Sequence, residues 1–114
     1  MMTNPPSAKD ELFTWLRHMN KYKGSDLFIT TNFPPAMKVD GKITPITDEP
    51  LTSEKCMEIA FSIMSTKQIE EFSSTNECNF AISLPDTSRF RVNAMVQRGA
   101  TALVFRSITS NIPN

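Results

Sequence analysis

Apolar residues recur at helical spacing in three stretches of the chain and at every second position in several others. The three helical stretches follow Ser7, Thr52 or Ser53, and Ser65, all residue types that favour the first position of a helix. Ser7 and Ser65 are each followed three positions later by a residue that can complete a capping box or a variant of one. The pattern therefore predicts three helices.

The apolar residues of these helices predict which faces are buried. We expect the first helix to end at Gly24. Its stripe comprises Leu12, Phe13, Trp15, Leu16, Met19 and Tyr22. The second helix carries Met57, Ala60, Phe61 and Met64, and the third carries Ile69 and Phe72. Five large aromatic residues are expected to fill the interior, namely Trp15, Phe61, Phe72, Phe80 and Phe90.

The alternating stretches predict six strands. One hairpin turns at Asp40-Gly41, a dipeptide that is typical of two-residue turns. Residues 32–35 must form a loop, because two consecutive prolines cannot donate hydrogen bonds to a neighbouring strand. The strands are expected within residues 25–31, 36–46 (two), 76–85 and 88–106 (two).

The order is therefore one helix, three strands, two helices and three strands. Strands and helices do not alternate regularly, and several strands are joined by short turns. This arrangement predicts an α+β fold with an antiparallel sheet of about six strands and helices packed on one face. PAS-like topologies belong to this class.

The last predicted hairpin, residues 88–106, holds four of the chain's five arginines. If Arg98-Gly99 forms a two-residue turn, Arg91 lies opposite Arg106 in the hairpin. A shift of one residue would move Arg106 to the apolar face, so the pattern favours this register. One face then carries Phe90, Val92, Ala94, Val96, Leu103 and Phe105. The other carries Arg89, Arg91, Asn93, Met95, Gln97, Val104 and Arg106.

Two like charges opposite each other destabilise a hairpin by roughly 0.2–1 kcal/mol. Either a neighbouring acid compensates them, with Asp26, Asp40 and Glu77 as candidates, or an anion binds from outside the chain. Pairs of arginines stabilise phosphoryl groups in the second way. Both interpretations are open at this point.

The charge distribution is uneven although the net charge is zero. The 114 residues suit one globular domain, with 39% hydrophobic and 21% charged residues. Every acidic residue except Asp86 lies in residues 1–77, whereas residues 78–114 contain four arginines and no lysine. This asymmetry either reflects chance or a solvated face, or it marks a local anion-binding surface. The pI of about 6.6 does not favour nucleic acid as the partner.

The chain offers no catalytic set of its own. Its three glycines are far apart, so neither a P-loop nor a dinucleotide fingerprint is present. The single histidine, His18, stands beside Arg17 in the first helix and is expected to face solvent, and the spacing indicates no Cys–His or Ser–His–Asp set. Cys56 and Cys78 have neither zinc-site nor redox-pair spacing, and two isolated thiols suggest a reducing, cytoplasmic setting. We therefore expect no enzymatic activity, cofactor or metal site in these residues alone.

Several segments together resemble the start of PilT-type secretion ATPases. The stretch "GSDLFITTNFPPAMKVDGKI" is followed by "NECNFAIS", "SRFRVNAMVQRG" and "VFRSITSNIP" in the order and spacing of that family. The similarity runs from about Leu12 to Pro113. Many PilT proteins have histidine where this chain has Phe28, and this difference, with "NECNFAIS", points to the PilU branch.

The resemblance implies a PAS-like N-terminal domain of a hexameric ATPase that retracts type IV pili and drives twitching motility. The family acts at the cytoplasmic face of the bacterial inner membrane, beside a pilus platform and, for PilU, a PilT-type partner. It uses ATP and Mg²⁺, held by a RecA-like domain that follows in the same polypeptide. We thus expect a disordered leader over 1–7, the PAS-like domain over 8–109, and the start of a linker over 110–114.

The resemblance also implies a role for the arginines. In this family, arginines on the late strands reach the ATP phosphates when the N-terminal domain closes on the motor domain. The matching positions are Arg91 and Arg106, with Arg89 and Arg98 as further candidates. Two alternatives are a free-standing PAS-like sensor of a small molecule and a scaffold for pilus assembly whose "TNFPPAM" loop docks a partner.

Overall fold

Residues 7–108 are described by a computed structural model, and their elements follow the predicted order. The helices are α1 (Ala8–Lys21), α2 (Ser53–Ser62) and α3 (Thr66–Thr75). The strands are β1 (Asp26–Ile29), β2 (Ala36–Val39), β3 (Lys42–Pro45), β4 (Glu77–Ser83), β5 (Arg89–Gln97) and β6 (Ala100–Ile108). The predicted linker and, apart from Ser7, the predicted leader lie outside the described residues.

The helices begin at the predicted residues because polar side chains satisfy their first backbone N–H groups. The Ser7 hydroxyl accepts a hydrogen bond from the backbone N–H of Asp10 at 3.1 Å. Thr52 caps α2 in the same way. Ser65 and Gln68 form the predicted capping box of α3, each side chain accepting from the other's backbone N–H at 3.2 and 2.9 Å.

The chain turns away from α1 at Gly24, but this glycine does not adopt the left-handed backbone conformation. Lys23 takes the left-handed conformation, with φ of 58°. A Cβ at Gly24 would lie 2.5 Å from Met19 Cγ, so a side chain at this position would collide with the buried methionine. Gly24 therefore lets the chain leave α1 close to the core.

The six strands form one sheet in the order β3-β2-β1-β6-β5-β4, with every neighbouring pair antiparallel. Both predicted two-residue turns are present, since Asp40-Gly41 and Arg98-Gly99 each combine two consecutive positive φ angles. The register of the last hairpin is the predicted one, with Arg91 opposite Arg106. Strands β1 and β6, which are far apart in sequence, are neighbours in the middle of the sheet.

The core lies between the helices and one face of the sheet. Phe90, Val92, Leu103 and Phe105 are fully buried on that face, as the alternation in the hairpin predicts. The helices contribute Leu12, Leu16, Met19 and Ile59, also fully buried. Within residues 7–108, no helix combines the length and the apolar character needed to cross a membrane.

The predicted buried face of α2 is wrong in part. Met57 is 46% exposed and Phe61 37% exposed, whereas Cys56 and Ile59 are fully buried beside Ala60. Apolar residues cover most of the circumference of this helix, so its sequence does not determine which side faces the core. The rotation of the helix is determined by its contacts with β6 and α1. Phe61 instead packs edge-to-face on Phe72, with ring centroids 6.4 Å apart. Of the five aromatic residues expected inside, Trp15, Phe72 and Phe90 are buried and Phe80 is half-buried.

Candidate functional site

The face of the sheet opposite the helices is called the open face here, and it carries the arginines. One row of cross-strand neighbours runs over five strands in the order Lys38, Asp26, Arg106, Arg91 and Ala81. Side chains of directly opposed residues share a face of a sheet. Three cations and one carboxylate therefore lie side by side in this row.

The two arginines of this row have different environments. Arg106 is paired with Asp26, whose Oδ2 lies 3.5 Å from the arginine Nε. Arg91 has Arg106 on one side and the small Ala81 on the other, and no carboxylate within residues 7–108 forms an ion pair with it. The positive charge of the row is thus only partly compensated from within the domain.

The structure selects one of the three acids that the sequence left open. Asp26 begins β1, which pairs with β6, so it lies directly opposite Arg106. Asp40 is in the turn between β2 and β3. Glu77 is opposite Met95, four residues along β4 from the neighbour of Arg91 and hence about 13 Å away along the strand.

A cavity of about 350 Å³ opens beside the arginine pair. It is lined by Asn79, Arg91, Asn93, Val104 and Arg106. Asn79 and Asn93 are opposed on β4 and β5, so two amides stand next to two guanidinium groups. The Asn93 side-chain oxygen is buried and has no hydrogen-bond partner among residues 7–108. The two guanidinium groups fit an oxyanion such as a phosphate, which the planar fork of arginine binds through two hydrogen bonds. The Asn93 oxygen is a hydrogen-bond acceptor and does not contribute to that fit.

The other two predicted arginines lie at different distances from this cavity. Arg89 is on the open face, two residues before Arg91 and about 7 Å from it along the strand. Arg98 is in the turn beyond Gln97, roughly 23 Å along the strand from Arg91. It lines a separate cleft with Asn32 and Phe33. The structure brings together Arg91 and Arg106, places Arg89 near them, and leaves Arg98 apart.

One other cleft does not suit an anion. A cleft of about 460 Å³ is lined by Glu11, Asp48 and Glu49, and its one cation, Lys55, is paired with Glu11. In the described part of the chain, no group of three or more His, Cys, Asp or Glu residues is placed to hold a metal ion.

The pKa shifts also lie away from the arginine pair. Burial raises the pKa of the Cys56 and Cys78 thiols. Hydrogen bonds from the hydroxyl and backbone N–H of Ser88 lower the pKa of the Asp86 carboxyl in the turn before β5. The open face is suited to binding an anion through the positive charge of its arginines.

Sequence reasoning identified Arg91, Arg106 and the face that Asn93 shares with them, but it missed Asn79. The signal for Asn79 was present, since it alternates with Cys78 and Phe80 in the strand that precedes the hairpin. Placing Asn79 at the site required the register between β4 and β5, which brings Asn79 opposite Asn93.

Comparisons with known proteins agree with the resemblance seen in the sequence, although no protein-family model matches the chain. The chain is 46% identical over 98 residues to the type IV pilus ATPase PilU of Pseudomonas aeruginosa, covering 86% of this chain and 26% of that protein. It is 35% identical over 92 residues to the type IV pilus retraction ATPase PilT of the same organism, covering 81% and 27%. The chain thus spans about a quarter of the length of these relatives.

The fold gives the same result. The crystal structure of the pilus retraction motor PilT with bound ADP matches with a TM-score of 0.82 and 28% sequence identity, covering 90% of this chain and 30% of that one. The six-stranded antiparallel sheet with three helices matches the N-terminal domain of PilT. This confirms the predicted α+β fold. The sequence identity to PilU is higher than that to PilT, as Phe28 suggested.

Proposed function

We propose that this chain, which is similar to the PilT/PilU-type secretion ATPases, is the N-terminal domain of a pilus retraction motor and supplies Arg91 and Arg106 to the phosphates of ATP. The observation that carries this proposal is the arginine pair on the open face, which lies beside a cavity and has one carboxylate, Asp26, next to Arg106. The ADP bound in the related PilT structure supports a nucleotide as the source of the anion.

The two guanidinium groups would act by binding and orienting phosphate oxygens. Their positive charge stabilises the negative charge that spreads over the transferring phosphoryl group, and this effect is strongest where water is excluded. Closure of the open face against the nucleotide would exclude that water. ATP supplies the bond whose hydrolysis drives movement. Mg²⁺ would be held by the RecA-like domain, as the resemblance to this family implies.

The wider assembly follows from the same proposal. The PAS-like domain would cover residues 8–109 and residues 110–114 would begin the linker to a RecA-like domain. The complete protein would be a hexamer at the cytoplasmic face of the bacterial inner membrane, beside the pilus platform and a PilT-type partner. The open face of one domain would then close on a RecA-like domain of the same or a neighbouring subunit.

The test is ATP turnover by the full-length protein carrying Arg91→Ala or Arg106→Ala. Each change is expected to lower turnover by about 10³-fold, in the range of arginines that contact a transferring phosphoryl group. Nucleotide affinity should fall much less, because the contact strengthens as charge develops in the transition state. Arg98→Ala is the matched control and should have little effect. Normal turnover in both Arg91→Ala and Arg106→Ala would refute the proposal.

One observation favours a second candidate, the docking of an assembly partner on the loop between β1 and β2. Phe33 in this loop is 62% exposed, although the backbone around it is fixed by hydrogen bonds to Leu51. A rigid loop that presents a large apolar side chain suits protein binding. Capture of a pilus platform protein by the domain, and its loss in Phe33→Ser, would support this role. Equal capture by both would argue against it.

A further inference from the structure

Asp26 is the fixed member of the ion pair on the open face. Its side chain is 13% exposed in the middle of the sheet, whereas that of Arg106 is 73% exposed. The two residues are cross-strand neighbours, so the pairing of β1 with β6 sets the position from which the carboxylate acts. Asp26 can therefore restrict the arginine, while the exposed arginine has little influence on Asp26.

The ion pair with Asp26 involves Arg106 Nε and leaves the terminal nitrogens of the guanidinium group free to bind a phosphate. It joins Asp26 Oδ2 to Nε, and at 3.5 Å it is an ion pair without the short distance of a strong hydrogen bond. A guanidinium group has five N–H donors, of which one is on Nε. The four donors on the terminal nitrogens remain available, and these can form a two-bond fork with an oxyanion.

Arg91 provides the contrast. It lies in the same row, but its neighbours are Ala81 and Arg106, and neither can hold its side chain by charge. The pair thus consists of one tethered arginine and one untethered arginine. Without the tether, repulsion between the two guanidinium groups would drive them apart.

We propose that Asp26 is a positioning residue, which holds the guanidinium group of Arg106 beside that of Arg91 so that both can bind one phosphate. The inference rests on the proposed function of the arginine pair. The inference predicts a change in turnover opposite to the one expected from charge alone. If charge alone mattered, Asp26 would weaken anion binding, and removing its negative charge should raise ATP turnover. As a positioning residue, its loss should harm the reaction.

The experiment is a double-mutant cycle on ATP turnover by the full-length protein, with Asp26→Asn and Arg106→Ala alone and together. Asp26→Asn should lower kcat by about 10- to 100-fold with little change in KM, as a displacement of about 1 Å in a reacting group does. In the Arg106→Ala background the same change should alter kcat by no more than about twofold, because Asp26 acts through Arg106.

Glu77→Gln is the matched control. It removes one negative charge from the open face at a residue opposite Met95, far from Arg106. It should leave kcat unchanged or raise it slightly. Asp26→Glu keeps the carboxylate but lengthens the side chain, and should restore part of the lost kcat. If Asp26→Asn fails to fold, Asp26→Glu enters the cycle in its place, with a loss expected only in the presence of Arg106.

Four results separate the possibilities. Turnover by Asp26→Asn that equals or exceeds that of the unmodified protein would overturn the positioning role. An equal loss in the presence and absence of Arg106 would do the same, because it would show that Asp26 acts on the fold. Normal turnover by both Arg106→Ala and Arg91→Ala would instead refute the proposed function of the arginine pair, and normal turnover by Arg106→Ala with reduced turnover by Arg91→Ala would overturn the positioning role of Asp26.

Discussion

The two faces of the hairpin formed by β5 and β6 are built from alternating residues of the same strands, yet they have opposite character. Phe90 and Val92 are fully buried under the helices, while Arg91, between them, is exposed on the open face. Phe105 and Arg106 divide in the same way. One face stabilises the domain by packing, and the other presents charge that the domain itself only partly neutralises. A single substitution should therefore affect stability or function, depending on which face it alters.

The largest effect on stability is expected for Phe90→Ala on the buried face. Removing a fully buried aromatic side chain should lower the free energy of unfolding by about 3–5 kcal/mol, through lost burial and the cavity that remains. Urea unfolding of the chain measures this. Phe33→Ala, at a side chain that is 62% exposed, is the control and should stay within about 0.5 kcal/mol. Equal unfolding midpoints for the two variants would mean that the face assignment is wrong.

A smaller loss is expected for Arg106→Ala on the open face. The alternation pattern alone predicts that removing either arginine relieves repulsion, but the ion pair with Asp26 changes this expectation for Arg106. Because solvent screens an arginine that is 73% exposed, the loss should be at most about 1 kcal/mol. It should shrink further at high salt, which weakens the pair in the unmodified chain. A more stable Arg106→Ala variant would show that the ion pair is not formed in solution.

The smallest effect is expected for Arg91→Ala. This arginine opposes Arg106 and has no acidic partner in the described part of the chain, so its removal should leave stability unchanged or raise it by up to about 0.5 kcal/mol. Thermal unfolding of the two arginine variants side by side provides the check. A clear destabilisation by Arg91→Ala would mean that Arg91 has a structural partner inside the domain.

The sequence was sufficient to predict those parts of the fold that depend on local rules. The turn at Arg98-Gly99 and the alternation of apolar residues on both sides of it determine which residues face each other, so the opposition of Arg91 and Arg106 could be predicted. The N-terminal caps at Ser7 and Ser65 are likewise determined by residues within one helical turn.

What could not be predicted depends on contacts between distant segments. Asp26, Asp40 and Glu77 were equivalent candidates until the pairing of β1 with β6 placed Asp26 beside Arg106. The rotation of α2 is a similar case, because an apolar residue on either side of the helix could have entered the core. Neither choice is encoded in a local pattern, since both are made by the packing of elements that are far apart in the chain.

The most direct test of the account is a titration of the chain with inorganic tripolyphosphate, followed by NMR of the arginine side-chain Nε–H groups. If the open face binds phosphate, the Arg91 and Arg106 signals should shift saturably at low salt and lose these shifts as salt is added, with no comparable shift at Arg98. Signals of Arg91 and Arg106 that stay fixed while Arg98 responds would contradict this prediction, because the phosphate would then bind away from the open face.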